Sequence, residues 1–181
     1  MGGLEGDINK FDTSHGSVMQ YGGNVEMAAN SLLDWEGAVN EDVVPYTTEY
    51  VRQVENNQLD DSLAYGKDVA HVQNFYRVNT TSKEDIKKAV MDYGAVSISY
   101  WSDQSSNWST QYYNSLTAAY YCPEGHTTNH AVNIVGWDDD YSSDNFATKP
   151  EGNGAWIVRN SWGSEYGKDG YFYLSLSLIH I

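Results

Sequence analysis

Three observations predict an α+β fold. Helix-type patterns occupy the first half of the chain, whereas short apolar runs of strand length dominate the second. Those later runs are separated by Gly- and Asp-rich turns rather than by helices, which excludes a repeating β-α-β order. The 181 residues, 40% hydrophobic and 14% aromatic, are enough for one domain with a core, or for two small lobes sharing one.

Residues 1–23 are rich in Gly, Asp and Ser and read as loop, ending in Gly22-Gly23. The pattern from Asn24 to Trp35 predicts a helix with Asn24 as cap, Glu26 in the first turn, and Met27, Ala28, Leu32 and Trp35 on a core-facing side. Gly37 ends it, and Pro45 imposes an extended entry to a polar loop. Residues 68–78 (DVAHVQNFYRV) alternate as a strand does. Ser82 and Asp85 form a capping box opening a helix over Lys83–Asp92, with Gly94 as its stop.

Ala95–Trp101 alternates strictly, with Val96, Ile98 and Tyr100 on one side and Ser97 and Ser99 on the other, and is predicted as a strand. Residues 102–128 read as a long polar and aromatic loop. Its aromatic start, Tyr100–Tyr113, suits either sugar stacking or, better, a cover over the strands. His130–Trp137, Gly154–Arg159 and Gly170–Ser175 complete the strands.

Composition narrows the function. Ten basic against 25 acidic residues give a net charge of −15, so nucleic acid is not an expected partner, because phosphate contacts need clustered Lys and Arg. The single cysteine, Cys122, excludes an internal disulfide and a multi-cysteine metal site. No apolar run reaches the roughly 18 residues of a membrane span, and MGGLEGDINKFD lacks the basic and apolar regions of a signal peptide. The run Asp138-Asp139-Asp140 with Asp144 lacks the glycine and terminal glutamate of a calcium loop and reads as a solvated turn.

The chemistry concentrates in NHAVNIVGWDDD (129–140) and GAWIVRNSWGSEYGKDGYFYLS (154–175). A histidine opens one strand and an asparagine closes another, so both side chains are held at strand ends. His15, His71, His126 and His180 have no comparable partner in the sequence and read as structural or exposed.

These blocks resemble the histidine and asparagine blocks of the papain-like cysteine peptidases. GGNVEMAANSLLDWEGAVNEDVVPY is similar to the glycine pair, helix and Pro-Tyr turn midway through such enzymes, and IKKAVMDYGAVSISY to their following helix and first barrel strand. The four pieces occur in family order over roughly residues 20–175. The resemblance implies an incomplete two-lobe fold, with 1–66 a remnant of the helical lobe and 67–175 mainly an antiparallel β-barrel lobe. It also implies a peptide or protein substrate, no metal and no organic cofactor.

By that resemblance His130 is the general base and acid, and Asn160 orients it. Trp162 shields their hydrogen bond. Gly22 and Gly23 pair with substrate backbone, and Ala131 lines the pocket for the substrate's second side chain before the cut. The wording WEGAV and the insertion at 140–152 resemble bacterial members, some of which carry carbohydrate-binding-like regions and are secreted or held at the cell surface.

The family's nucleophilic cysteine and its preceding glutamine lie upstream of the glycine pair, and neither has a counterpart here. Cys122 falls in a loop that the family does not use for catalysis and reads as a small apolar residue. The expectation is therefore a peptidase fragment carrying the histidine and asparagine without the nucleophile, inactive alone. The alternatives are a nucleophile-free module binding peptides or glycans, and a transglutaminase-like acyltransferase, against which the Asn-Ser-Trp-Gly block argues. An upstream reading frame with a glutamine and a Cys-Trp helix start separates the first from the second. The final residues, Leu176–Ile181 (LSLIHI), translate a transposon mosaic end used in library preparation and are expected to be adapter-encoded.

Overall fold

A computed structural model describes residues 23–56, 58, 60, 62–103 and 111–178. They belong to two compact units, divided between Tyr76 and Arg77.

In the first unit, helix α1 (Val25–Leu33) starts as expected. Asn24 is extended, and its Oδ1 accepts from the Met27 amide at 2.8 Å. The face differs from the expected one. Met27 is 47% and Trp35 57% exposed, and the buried position is Ala29, with Val25 and Leu32 half-buried beside it. The reason is that the helix ends at Leu33 and Trp35 lies beyond it at φ 69°, outside the helical register. Trp35 instead stacks on His71 at 4.5 Å, and His71 Nε2 pairs with Asp68 at 2.6 Å.

The polar loop expected after Pro45 contains a helix, α2 (Thr48–Glu55), which Thr47 caps by accepting from the Tyr50 amide at 3.2 Å. A short turn of helix, α3 (Ser62–Tyr65), follows. The strand expected over 68–78 is not formed. Its ladder stops at a single antiparallel bridge, Ala38 to Ala70, and its alternation leads to no buried face, since Val69, Phe75 and Tyr76 are all exposed.

The second unit is built on helix α4 (Lys83–Tyr93) and six strands. Ser82 Oγ accepts from the Asp85 amide at 3.1 Å, and Gly94 ends the helix at φ 87°, a left-handed conformation that an L side chain rarely adopts. The capping is one-sided, because the Ser82 amide donates to the Asn79 carbonyl at 3.2 Å.

The strands are β1 (Val96–Tyr100), β2 (Tyr113–Asn114), β3 (Ala119–Tyr120), β4 (His130–Asp138), β5 (Ala155–Arg159) and β6 (Tyr171–Ser175). They form one sheet in the order β1-β4-β5-β6-β3-β2. All neighbours are antiparallel except β3 and β6. That parallel pair needs a long crossover, which the stretch containing β4 and β5 supplies. Strands β2 and β3 lie within the segment read as loop; each spans only two residues, too short for alternation to reveal.

Ile86 and Val90 of α4 join Ile98, Tyr100, Val132, Ile134, Trp156, Val158, Phe172 and Leu174 in the core. The alternation in β1 decides which side faces in: Ile98 and Tyr100 are buried, Ser97 exposed. Of the aromatic segment, Tyr112 is buried in this core and Trp101 packs against it. The acidic turn after β4 is tied locally. Lys87 Nζ reaches Asp139 at 2.7 Å, Lys149 pairs with Asp144, and the Asp140 amide donates to Asp138 Oδ1 at 2.9 Å. Leu176 is buried at 7% exposure, its amide donates to the Gly154 carbonyl at 3.1 Å, and Leu178 packs against the core.

Candidate active site

His130 is the first residue of β4 and lies opposite Tyr100, the last residue of β1. The segment entering β4 is held by Asn129. Its Oδ1 accepts from the Ser102 amide at 2.7 Å and its Nδ2 donates to the Ser102 carbonyl at 2.9 Å. Asn160 follows Arg159 at the end of β5, and its amide donates to the Gly170 carbonyl at 3.0 Å. Two antiparallel neighbours thus bring together side chains that are thirty positions apart.

His130 Nε2 and Asn160 Oδ1 are 2.9 Å apart, and the same oxygen accepts from the Ser161 amide at 2.8 Å. An amide oxygen can only accept, so the contact assigns the proton to Nε2 and leaves Nδ1 with a free lone pair. Asn160 is 4% exposed, whereas His130 is half-buried, so the ring retains an accessible edge.

Trp162 stacks on the His130 ring at 4.6 Å and 24° and is itself 38% exposed. Tyr100 meets the imidazole edge-on at 5.8 Å. Tyr166 packs edge-on against Trp162 at 4.8 Å and against Phe172 at 5.8 Å. Burial pushes the Tyr166 phenol well up, and its contact with Asn160 works in the opposite direction. Asn160 Nδ2 is nonetheless buried without a properly directed hydrogen bond.

The turn from Asn160 to Tyr171 depends on glycine. A Cβ on Gly167, at φ 61°, would lie 2.1 Å from the Tyr171 carbonyl oxygen.

The remaining expected site residues are placed as follows. Ala131 lies exposed on β4, opposite Ser99. Gly23 has open space where a Cβ would stand, and Gly22 lies outside the described residues. Cys122 is buried in the core cluster, and burial raises its thiol pKa, which disfavours the thiolate. Three site residues received no role from the sequence: Tyr100, Asn129 and Tyr166. Tyr166 stood inside the asparagine block, but only packing distinguishes it from any other turn tyrosine.

The family model for papain family cysteine protease matches residues 13–178. The chain belongs to the papain family. Among curated members, it is 30% identical to Testin-2 of Rattus norvegicus, over 85% of this chain and 41% of that protein. It is 29% identical to fruit bromelain of Ananas comosus, over 83% of this chain and 36% of bromelain. The chain therefore spans less than half of these family members.

A solved structure of the cysteine protease and lectin-like domains of Cwp84, a surface layer associated protein of Clostridium difficile, superposes with a TM-score of 0.58 and 32% identity, over 83% of this chain and 32% of that one. Among the described residues, no helix is long and apolar enough to cross a membrane.

Proposed function

We propose that the chain supplies the histidine and asparagine of a cysteine peptidase that hydrolyses peptide bonds, with the nucleophilic thiol provided by chain outside these 181 residues. The observation that carries this reading is the 2.9 Å contact between His130 Nε2 and Asn160 Oδ1 beneath the Trp162 ring.

The chemistry follows from the tautomer. Nδ1 takes the proton of the thiol, and the thiolate attacks the substrate carbonyl carbon. The imidazolium then returns that proton to the departing amine as the C–N bond breaks, leaving a thioester. Water hydrolyses the thioester with His130 again as base. Asn160 keeps the ring in this tautomer throughout, and Trp162 keeps water from competing for the Nε2–H. Gly22 and Gly23 take the role of pairing with substrate backbone, and Ala131, next to His130 in the chain, that of lining the pocket for the substrate's second side chain. The buried, protonated Cys122 supports assigning the attack to another thiol.

The whole protein, on this reading, acts on peptides or proteins and is secreted or displayed at the cell surface, with a carbohydrate-binding-like region appended. Support comes from Cwp84, whose structure pairs a protease with a lectin-like domain in a surface layer associated protein.

The test uses the purified 181-residue chain and a fluorogenic peptide. The expected result is no turnover. Turnover that is abolished by alkylating Cys122 overturns the assignment of an external thiol. In the longer protein, His130→Ala is expected to reduce kcat/KM by roughly 10²–10⁴; an unchanged value overturns the catalytic assignment itself.

A further inference from the structure

Eight positions before His130, the segment Cys122-Pro123-Glu124-Gly125-His126 brings three different donor types together. One ligand atom from each of Cys122, Glu124 and His126 lies within 4.8 Å of the others. Cys122 Sγ is 4.0 Å from Glu124 Oε2, and His126 Nε2 is 3.1 Å from that same oxygen. We propose that Cys122, Glu124 and His126 form a binding site for a divalent zinc ion, with a fourth position left open to water.

The separations fit the ion. With Zn–S of about 2.3 Å and Zn–N or Zn–O of about 2.0–2.2 Å, a tetrahedral site spaces its ligand atoms about 3.3–3.8 Å apart. Two of the pairs, at 4.0 and 3.1 Å, bracket that range, and all three atoms lie within 4.8 Å of one another, so side-chain shifts of up to about 1 Å would seat an ion. Sulfur, nitrogen and carboxylate oxygen together are the donor mixture of zinc and not of calcium or magnesium, which take oxygen alone. On coordination the thiol proton leaves to solvent and the thiolate binds.

The surroundings hold the ligands in place. Tyr112 donates its hydroxyl to Glu124 Oε2 at 2.5 Å, and Trp101 stacks on the His126 ring at 4.0 Å. These are the outer contacts that orient metal ligands. Pro123 restricts the backbone between the first two donors. Cys122 is anchored in the core, whereas Glu124 and His126 are exposed, so the site has a fixed floor and an open side. The field favours a cation as well: the Asp103 charge acts on Cys122, and the chain carries a net charge of −15. The site shares no ligand with the His130–Asn160 pair.

The experiment titrates the chain with Co²⁺ and then with Zn²⁺. Thiolate-to-cobalt charge-transfer absorption is expected to rise to saturation at equimolar metal and to be bleached by Zn²⁺. Glu124→Gln and His126→Ala alter exposed side chains and leave the core thiol in place. Each is expected to weaken binding by more than about 100-fold, and Tyr112→Phe, which removes only an outer contact, by about 10–100-fold.

His130→Ala should leave the absorption intact. The proposal is overturned if no charge-transfer band appears, if Glu124→Gln and His126→Ala bind as the parent does, or if His130→Ala abolishes the signal.

Discussion

A single oxygen, Asn160 Oδ1, sets the protonation pattern of His130, because it accepts from both the imidazole and the Ser161 amide. Asn160→Ala removes that acceptor. The variant is expected to lose the fixed Nε2–H tautomer, which nitrogen chemical shifts of the His130 ring would show. It should also cost about 0.5–1.5 kcal/mol in a urea titration, the usual net contribution of a hydrogen bond whose donor keeps some access to water. Retention of the single tautomer would mean that Trp162 stacking alone orients the ring. Gly167 is the corresponding backbone position. Gly167→Ala puts a Cβ 2.1 Å from the Tyr171 carbonyl at a left-handed φ, and a loss of about 1–3 kcal/mol is expected by the same titration.

At the scale of elements, α4 is secured to the sheet by apolar burial on one face and by one ion pair at its edge. Ile134 on β4 is fully buried in the cluster that contains Ile86 and Val90 of α4. Ile134→Ala is expected to destabilise the unit by roughly 2–5 kcal/mol through lost burial and a cavity.

The ion pair responds to pH. The hydrogen bond from Lys87 holds the Asp139 carboxyl below its usual range, and the hydrogen bond to Asp139 raises Lys87 above its own. A depressed acid contributes stability that is present above its unfolded pKa and lost as pH falls through the folded value. A raised lysine contributes stability that is present below its unfolded pKa and lost as pH rises through the folded value. The tether is therefore intact through neutral pH; its contribution starts to fall only below the ordinary aspartate value of about 3.9 and above the ordinary lysine value of about 10.4, and is gone past the shifted values beyond them. Thermal unfolding of Lys87→Met, compared with the parent across that range, is expected to differ most at neutral pH and to converge at both ends.

The whole molecule divides between a sheet-centred unit and a helical one. Trp156, Val158, Ile134 and Leu174 of the sheet are buried almost completely, whereas the first unit leaves Met27, Trp35, Tyr46 and Val69 exposed. Hydrogen exchange on the full chain should accordingly show the amides of β4, β5 and β6 as the slowest and those of α1 and α2 as fast; equal protection would contradict this division. The net charge of −15 adds self-repulsion throughout, so moving from low to physiological ionic strength should raise the Tm. Leu176, buried beneath Gly154, ties the end of the described chain to the core, where a Cβ on Gly154 would already stand 2.5 Å from its Cδ1.

What the sequence determined by itself was local and patterned. The caps at Asn24 and Ser82, the alternation of β1, and the strands opening at His130 and closing before Asn160 are written in neighbouring residues, so they are legible without a partner. The papain-like blocks carry several rare residues in a set order, which is why the family could be read from them. Only the tertiary structure decided which patterns found partners. The alternation of 68–78 extended to one bridge, because a strand exists only where another strand accepts its hydrogen bonds. Two-residue strands inside a presumed loop became part of the sheet because β6 lay alongside β3, and β3 alongside β2. The face of α1 turned on where its last turn ended. His130 and Asn160 are thirty residues apart in sequence and 2.9 Å apart in space, a distance set by the register of β4 against β5 and by the glycine turn that follows. The grouping of Cys122, Glu124 and His126 is illegible in the sequence for a related reason: spacing names the donors, but only the folded loop brings their ligand atoms within 4.8 Å of one another.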